Sequence, residues 1–204
     1  NEWTINFNLR GEFEMDNNLL FTEIVRMFED KVIRAWQNGL VSTMLTNATA
    51  YTTSVLDDTF VIPDNGLAVI AGQSVIEGMF FTPDTVVMNP SDIFSAMFTQ
   101  DIDGKPTIKP YMTIDMQGNV RINGLRVFSS YVIPAGTALI GEAGVYKEWH
   151  TSFILRFGTY NDQFIKNEKS AIGEVFSLLR IANNEKPAWM ALNLATVKAA
   201  LLKP

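Results

Sequence analysis

Several short stretches of the chain hold residues whose types and spacing could do chemistry. Gly136 to Ala143, GTALIGEA, has the Gly-x4-Gly spacing of a phosphate-binding loop, where backbone N–H groups cradle phosphates and a following Lys and Ser or Thr complete the site. Those two positions here are Glu142 and Ala143, and a carboxylate in place of the ammonium inverts the electrostatics. The stretch is expected to be framework, with Gly136 in a hairpin turn after Pro134 and Gly141 where a strand bends. Asp101 to Lys105, DIDGK, has part of a calcium loop, but placing Gly104 at loop position six puts Thr99 first and Pro110 last, where Asp and a bidentate Glu are needed. A hairpin turn is the expectation there.

His150 is the single histidine, which excludes any metal site built on two imidazoles. Alternation along its strand places it on the polar face, at a surface or interface. Glu29 with Asp30, and Asp57 with Asp58, are adjacent carboxylates; the first pair falls on a helix flank and the second in a loop, so solvated charge is expected of both. Asn47 opens the glycosylation acceptor pattern NAT, which has meaning only in a secreted chain. The 14 Phe and 9 Met are expected in the core. No catalytic, cofactor-binding or metal-ligating residue is assigned, and neither an enzyme nor a cofactor is expected.

The elements that would position such groups follow from composition and periodicity. With 204 residues, 47% hydrophobic and 19% charged, the chain folds, as one large domain or two interleaved ones. A net charge of −6 and singly scattered Lys and Arg argue against specific nucleic-acid binding. The absence of Cys removes disulfides and thiolate chemistry and fits a reducing compartment. No apolar run approaches the ~20 residues that span a bilayer, so no membrane is expected. The sequence starts at Asn1 and not at Met, so a processed or truncated product with something once preceding it is expected.

From Asp16 to about Leu45 the apolar residues Phe21, Val25, Phe28, Val32, Trp36 and Leu40 recur every three or four positions, opposite Glu23, Arg26, Asp30, Arg34 and Gln37. That spacing predicts one long amphipathic helix, capped by Asp16, with Trp36 in the buried stripe. Thr46 to Pro63 reads as a connector. A second helix is expected from Asp64 to Gly78, ended by that Gly. Thr85 to Met88 is a short buried strand, followed by an Asn89-Pro90 turn and a helix capped by Ser91. Strands then dominate. Tyr111 to Gln117 has Met112, Ile114 and Met116 facing inward, and Asn123 to Glu142 reads as strand, tight turn, strand. Trp149 to Phe157 has Trp149, Phe153, Leu155 and Phe157 on one face and Glu148, His150, Ser152 and Arg156 on the other. Ile172 to Ala182 is apolar on both faces. Early helices and late strands give the class α+β.

The succession LLFTEIVRMFEDKVIRAW, PDTVVMNPSDIFSAMFTQDIDGKP, INGLRVFSSYVIPAGTALIGE and FILRFGTYNDQFIKNEKSAIGEVFSLLRIANNEKPAW resembles the major capsid proteins of tailed bacteriophages, with the Hong Kong 97-like fold. Gln100-Asp101 with Gly104, Gly124 with Val127, Ile133-Pro134 with Gly136, and Leu139 with Gly141 stand where that family has its turn and strand signals. The resemblance covers roughly residues 16–192.

It implies a long spine helix, a central mixed sheet flanked by helices, and long late strands. It implies a peripheral domain from residues 1–60, with the spine helix at 16–45, and from a strand hairpin at 144–182. An axial domain would comprise 61–143, with a C-terminal return at 183–204. The implied role is a structural subunit of a phage or prophage shell, made in the bacterial cytoplasm and located in the virion. Its partners would be further copies of itself in pentamers and hexamers, with a scaffold, portal or protease. An encapsulin-like cage protein, or a soluble ligand-binding or enzymatic α+β domain, is the alternative. The family's N-terminal arm and extended loop are missing or reduced to NEWTINFNLRGEFE, and no crosslinking residue carries over. Such a chain should associate weakly, increasingly with concentration and salt.

Overall fold

In a computed structural model the described residues are 2–10, 18–100, 106–158 and 168–204. The elements in chain order are β1 (Glu2–Arg10), α1 (Asn18–Asn47), β2 (Thr49–Ala50), α2 (Asn65–Gly78), β3 (Thr85–Met88), α3 (Pro90–Met97), β4 (Phe98–Gln100) and β5 (Pro106–Ile108). After them come β6 (Met112–Ile114), β7 (Val120–Ile122), β8 (Leu125–Ser129), β9 (Thr137–Gly141), β10 (Lys147–His150), β11 (Ile154–Gly158), β12 (Glu168–Arg180), β13 (Trp189–Asn193) and α4 (Leu194–Leu201). The α+β class and the long early helix stand as expected. The chain divides into two compact units, one of residues 1–40 and 147–180, the other of residues 41–146 and 181–204.

The first unit is a helix on a sheet. β12 is the central strand; β1 runs antiparallel along one edge, while β10 and β11 pair in succession along the other. Phe28 and Val32 of α1 are buried, and Glu23, Arg26, Asp30, Arg34 and Gln37 are exposed, so the predicted stripe holds where side chains are described. The proposed Asp16 cap lies outside the described residues. Gly173 lets the helix approach: a Cβ there would stand 2.9 Å from a ring carbon of Phe153 and 3.2 Å from one of Phe28.

The predicted continuous strand 149–157 is broken. His150 pairs with Ser177 and Ile154 with Glu174, so Thr151, Ser152 and Phe153 oppose only Val175 and Phe176, an extra residue that forms a bulge. Thr151 bridges it, its N–H donating to the Phe176 carbonyl while its Oγ1 accepts from the Phe176 N–H. A one-residue shift exchanges the faces. Leu155, opposite Gly173, lies on the helix side, whereas Trp149, opposite Leu178, lies on the outer side. β12 starts earlier than predicted, at Glu168, and Phe176 and Leu178 on its outer face are exposed.

The second unit holds a seven-stranded mixed sheet in the order β2-β13-β9-β3-β8-β7-β6. β3 runs parallel to β8 and antiparallel to β9, and every residue of β3 is buried. Alternation explains why: Val86 and Met88 join Ile140, Met190, Leu192 and the apolar faces of α2, α3 and α4, while Val87 joins Leu139, Ile133, Trp189 and the last turns of α1. A strand covered on both faces must be apolar throughout. Gly141 is required by contact, because a Cβ would run into the Trp189 ring and the Ala188 carbonyl.

Asn123 to Glu142 is not one hairpin: β8 and β9 flank β3, and the connection passes over the sheet with Ile133 buried beneath it. The tight hairpin is instead β7–β8, where Asn123 and Gly124 both have positive φ, as a two-residue turn of that hand requires. The predicted strand 111–117 stops at Ile114. Asp115 accepts from the backbone N–H groups of Gln117 and Asn119, turning the chain and leaving Met116 in solvent. Asp64 is the cap of α2 and not its first residue, its carboxylate accepting from Leu67 N–H. Asn89, not Ser91, caps α3, with Pro90 at the first helical position.

Candidate interaction surface

The polar clusters of the second unit are closed upon themselves. The Lys109 ammonium lies 2.7 Å from Asp64 Oδ2, and Tyr111 donates its hydroxyl to the same carboxylate at 2.6–2.7 Å. With the Leu67 N–H, this locks the start of α2 to the approach to β6. Gly66 makes the fit, since a Cβ there would meet the Tyr111 ring. Burial alone would raise the Asp64 carboxyl, but Lys109, Tyr111 and the helix N–H outweigh it and hold it below the usual carboxylate value. Burial and that anion push the Tyr111 phenol well up. Asp57 accepts from the Tyr51 hydroxyl and from Ser54 N–H, a second closed network. In both clusters the carboxylate is engaged by neighbours within the fold.

The residues singled out by type scatter. Gly136 to Ala143 is a turn glycine followed by β9, and Glu142 accepts from Thr82 N–H. Asp101 to Lys105 lies outside the described residues. His150 is exposed at the surface, as expected, but on the other face of its strand: opposite Ser177 it lies on the helix side, its ring 4.8 Å from that of Trp36 and its Nδ1 3.7 Å from Glu148. Trp36 is only half-buried, and its indole N–H is sealed from water without an acceptor. Glu29, Asp30 and Asp58 are exposed on α1 and in a loop, as expected, while Asp57 is held by Tyr51. Asn47, at the end of α1, donates to the Thr43 carbonyl. Among the described residues no three His, Cys, Asp or Glu side chains could hold a metal ion, and no helix is long and apolar enough to cross a membrane.

What remains available is apolar surface. In the first unit Trp149 and Leu178, 53% and 60% exposed, pair across the outer sheet face, with Phe176 beside them. In the second unit Phe80 is 98% exposed. A groove of about 420 Å³ lies there between α3 and β6–β8, lined by Ile93, Phe94, Met97, Ile114, Val120 and Val127. Sequence patterning missed these places because it assigns large apolar residues to the core; the signal that was present is "GMFFTP", where two aromatics follow a helix-ending Gly with room for one inside.

No family model matches the chain, and no curated protein matches it. Solved structures do. One of Microbacterium phage Oxtober96 is similar over 95% of this chain and 72% of its own, with a TM-score of 0.64 and 10% identity. A virus-like particle from Pyrococcus furiosus is similar over 94% and 76%, with a TM-score of 0.61 and 12% identity. The holo-SrpI encapsulin complex from Synechococcus elongatus is similar over 95% and 73%, with a TM-score of 0.57 and 12% identity. Structures of Mycobacterium and Gordonia phages match as well. The chain spans 65% of the length of some of these structures and 76% of the virus-like particle. At such identities the likeness establishes the fold: the chain has the Hong Kong 97-like capsid fold.

Proposed function

We propose that the chain is a structural, non-enzymatic subunit of a tailed-phage or prophage shell, assembling into pentamers and hexamers around the genome. One observation carries this reading: 95% of the chain follows a phage structure in fold, so the likeness is not confined to one motif. Two further features support it. Asp57 and Asp64 of the second unit are engaged within the fold by Tyr51 and Tyr111, and the exposed aromatics lie on surfaces, where a repeating contact would use them. In this reading the first unit serves as the peripheral domain and the second as the axial domain. The virion is its location and the bacterial cytoplasm its place of synthesis, with scaffold, portal or protease as further partners.

Shell subunits associate through many weak contacts, since strong pairwise ones would trap wrong geometries before closure. The net charge of −6 opposes close approach until salt screens it within about 10 Å at 0.1 M. Light scattering across concentration and salt tests the reading. Association should rise with both; a tight, salt-insensitive dimer at high dilution would overturn it.

The match to an encapsulin complex favours a second reading, a cage around protein cargo. Particles purified from the native host separate the two, since a shell of the first kind encloses DNA and a cage of the second encloses protein.

A further inference from the structure

The described sheets protect their edges, with one exception. An open edge presents a row of unpaired N–H and C=O groups, and folded chains blunt it by keeping the strand short, by bulging it, or by placing Lys or Pro there. β2 and β6, at the edges of the seven-stranded sheet, have 2 and 3 residues, and the strands of the β4–β5 ribbon have 3 each. In the first unit β10 and β11 share an edge that the bulge at Thr151 to Phe153 interrupts. β1 has none of these devices. It runs 9 residues, EWTINFNLR, without Lys or Pro, in unbroken register with β12 from Glu2 opposite Phe176 to Arg10 opposite Glu168. No strand lies beyond it among the described residues.

The sequence of this strand is complementary to itself. Laid antiparallel against a second β1 about Asn6, it sets Glu2 opposite Arg10, Trp3 opposite Leu9, Thr4 opposite Asn8 and Ile5 opposite Phe7. Acid meets base at both ends, and apolar meets apolar between them. A shift of two residues either way loses both charge pairs, and a shift of one sets apolar residues against polar ones. Within its own chain Glu2 has no charged residue opposite it, whereas Arg10 stands opposite Glu168, and a guanidinium has donors enough for two carboxylates. By register Ile5 falls opposite Gly173, on the sheet face that α1 covers, and Trp3, Phe7 and Leu9 share that face. Two copies joined at this edge about a two-fold axis would continue the apolar row, with both helices on one side. Strands lie about 4.8 Å apart, which puts β12 about 14 Å from its counterpart, more than the about 8–10 Å that packed helices need.

We infer that the open edge of β1 pairs antiparallel with the β1 edge of a second copy of this chain, across a two-fold axis at Asn6. The match of the strand to itself names the partner, since a strand of another protein has no reason to fit both charged ends. The inference rests on the shell-subunit reading: rings of subunits must also be joined to one another, and a contact that uses the same patch on both copies joins two of them. The backbone ladder supplies the attraction. The end charges set the register more than the strength, because surface ion pairs contribute little.

The test uses the 204-residue chain, which has no Cys. Residues directly opposite in an antiparallel pair have Cα atoms about 4.5–5.5 Å apart, within reach of a disulfide. Asn6→Cys should therefore form a disulfide-linked dimer under mild oxidation, at least about tenfold faster than Thr4→Cys or Asn8→Cys alone. Thr4→Cys mixed with Asn8→Cys should give the mixed dimer in excess of either like pair. Adding Glu2→Arg to Asn6→Cys should slow that crosslink several-fold at low salt, because two arginines then stand opposite each other. Thr4, Asn6 and Asn8 fall on the face away from α1, so circular dichroism melts of the cysteine variants should match the wild type. Wild-type association without the Asn6→Cys dimer, a Thr4→Cys like pair that forms as fast, or an unaltered rate with Glu2→Arg overturns this inference and leaves the shell reading standing. Absence of wild-type association at every concentration and salt overturns both.

Discussion

Asp64→Ala is the perturbation that probes the second unit most sharply, because one carboxylate caps α2, accepts from Tyr111 and neutralises Lys109. The Lys109 side chain is 10% exposed and that of Asp64 27%, so removing the carboxylate leaves an ammonium mostly out of water. Breaking a buried pair in this way costs about 3–5 kcal/mol, and loss of a helix cap costs about 0.5–2 kcal/mol. The two overlap in one group, and the partial exposure of Asp64 favours the low end, so about 3–5 kcal/mol in all is expected. For a chain of this size each kcal/mol lowers the melting temperature by about 2–4 °C, giving a drop of roughly 6–20 °C in a circular dichroism melt. Asp64→Asn keeps the cap and loses the charge, and adding Lys109→Met to it should recover part of the loss by removing the stranded ammonium. The sign with pH follows from the lowered carboxyl. Its contribution is present above the unfolded carboxylate value and disappears as pH falls through the still lower folded value, so wild type and Asp64→Asn should converge below about pH 4. Equal melting of wild type and Asp64→Ala at neutral pH, or a gap that widens in acid, would refute the reasoning.

Gly141→Ala should destabilise by about 1–3 kcal/mol or more, measured by urea unfolding, because the new methyl meets the Trp189 ring and a backbone carbonyl that has no freedom to move; unchanged stability would contradict the packing. Trp36→Phe should alter stability by no more than about 1 kcal/mol, since it removes a buried N–H that has no acceptor, and Trp36→Ala should cost less than the about 3–5 kcal/mol of a fully buried ring; a larger loss for the Phe variant would mean the indole N–H is bonded. Of the 5 tyrosines, Tyr51, Tyr111 and Tyr146 are pushed up by burial, the first two also by Asp57 and Asp64. Their contribution is full below about pH 10 and declines as pH rises above it, so phenolate absorbance should show three tyrosines ionising only with unfolding; reversible ionisation of all of them near pH 10 in the folded state would contradict these networks.

The long helix and the buried strand β3 were legible because each has one dominant period or an unbroken apolar run, and burial enforces both. The faces of Trp149 and His150 relative to Leu155 were not legible, since one inserted residue between them reverses the alternation and nothing in the local pattern marks the insertion. Asn123 to Glu142 misled for a related reason. Two strands joined by a Pro-Gly turn suggest a hairpin, but β3 lies between them, a pairing set by contacts distant in sequence. The strand from Tyr111 ended early because Asp115 can bond to its own backbone, a local alternative that alternation ignores. The Asp64–Lys109–Tyr111 clasp was hidden by separation along the chain. Phe80 was hidden by the rule that aromatics go inside, and its left-handed backbone shows only in the fold.

Electron microscopy of the chain, at concentrations and salt where scattering shows association, tests the central claim most directly. The account predicts rings or closed shells with fivefold and sixfold symmetry. Single subunits or two-fold dimers as the only species present would contradict it.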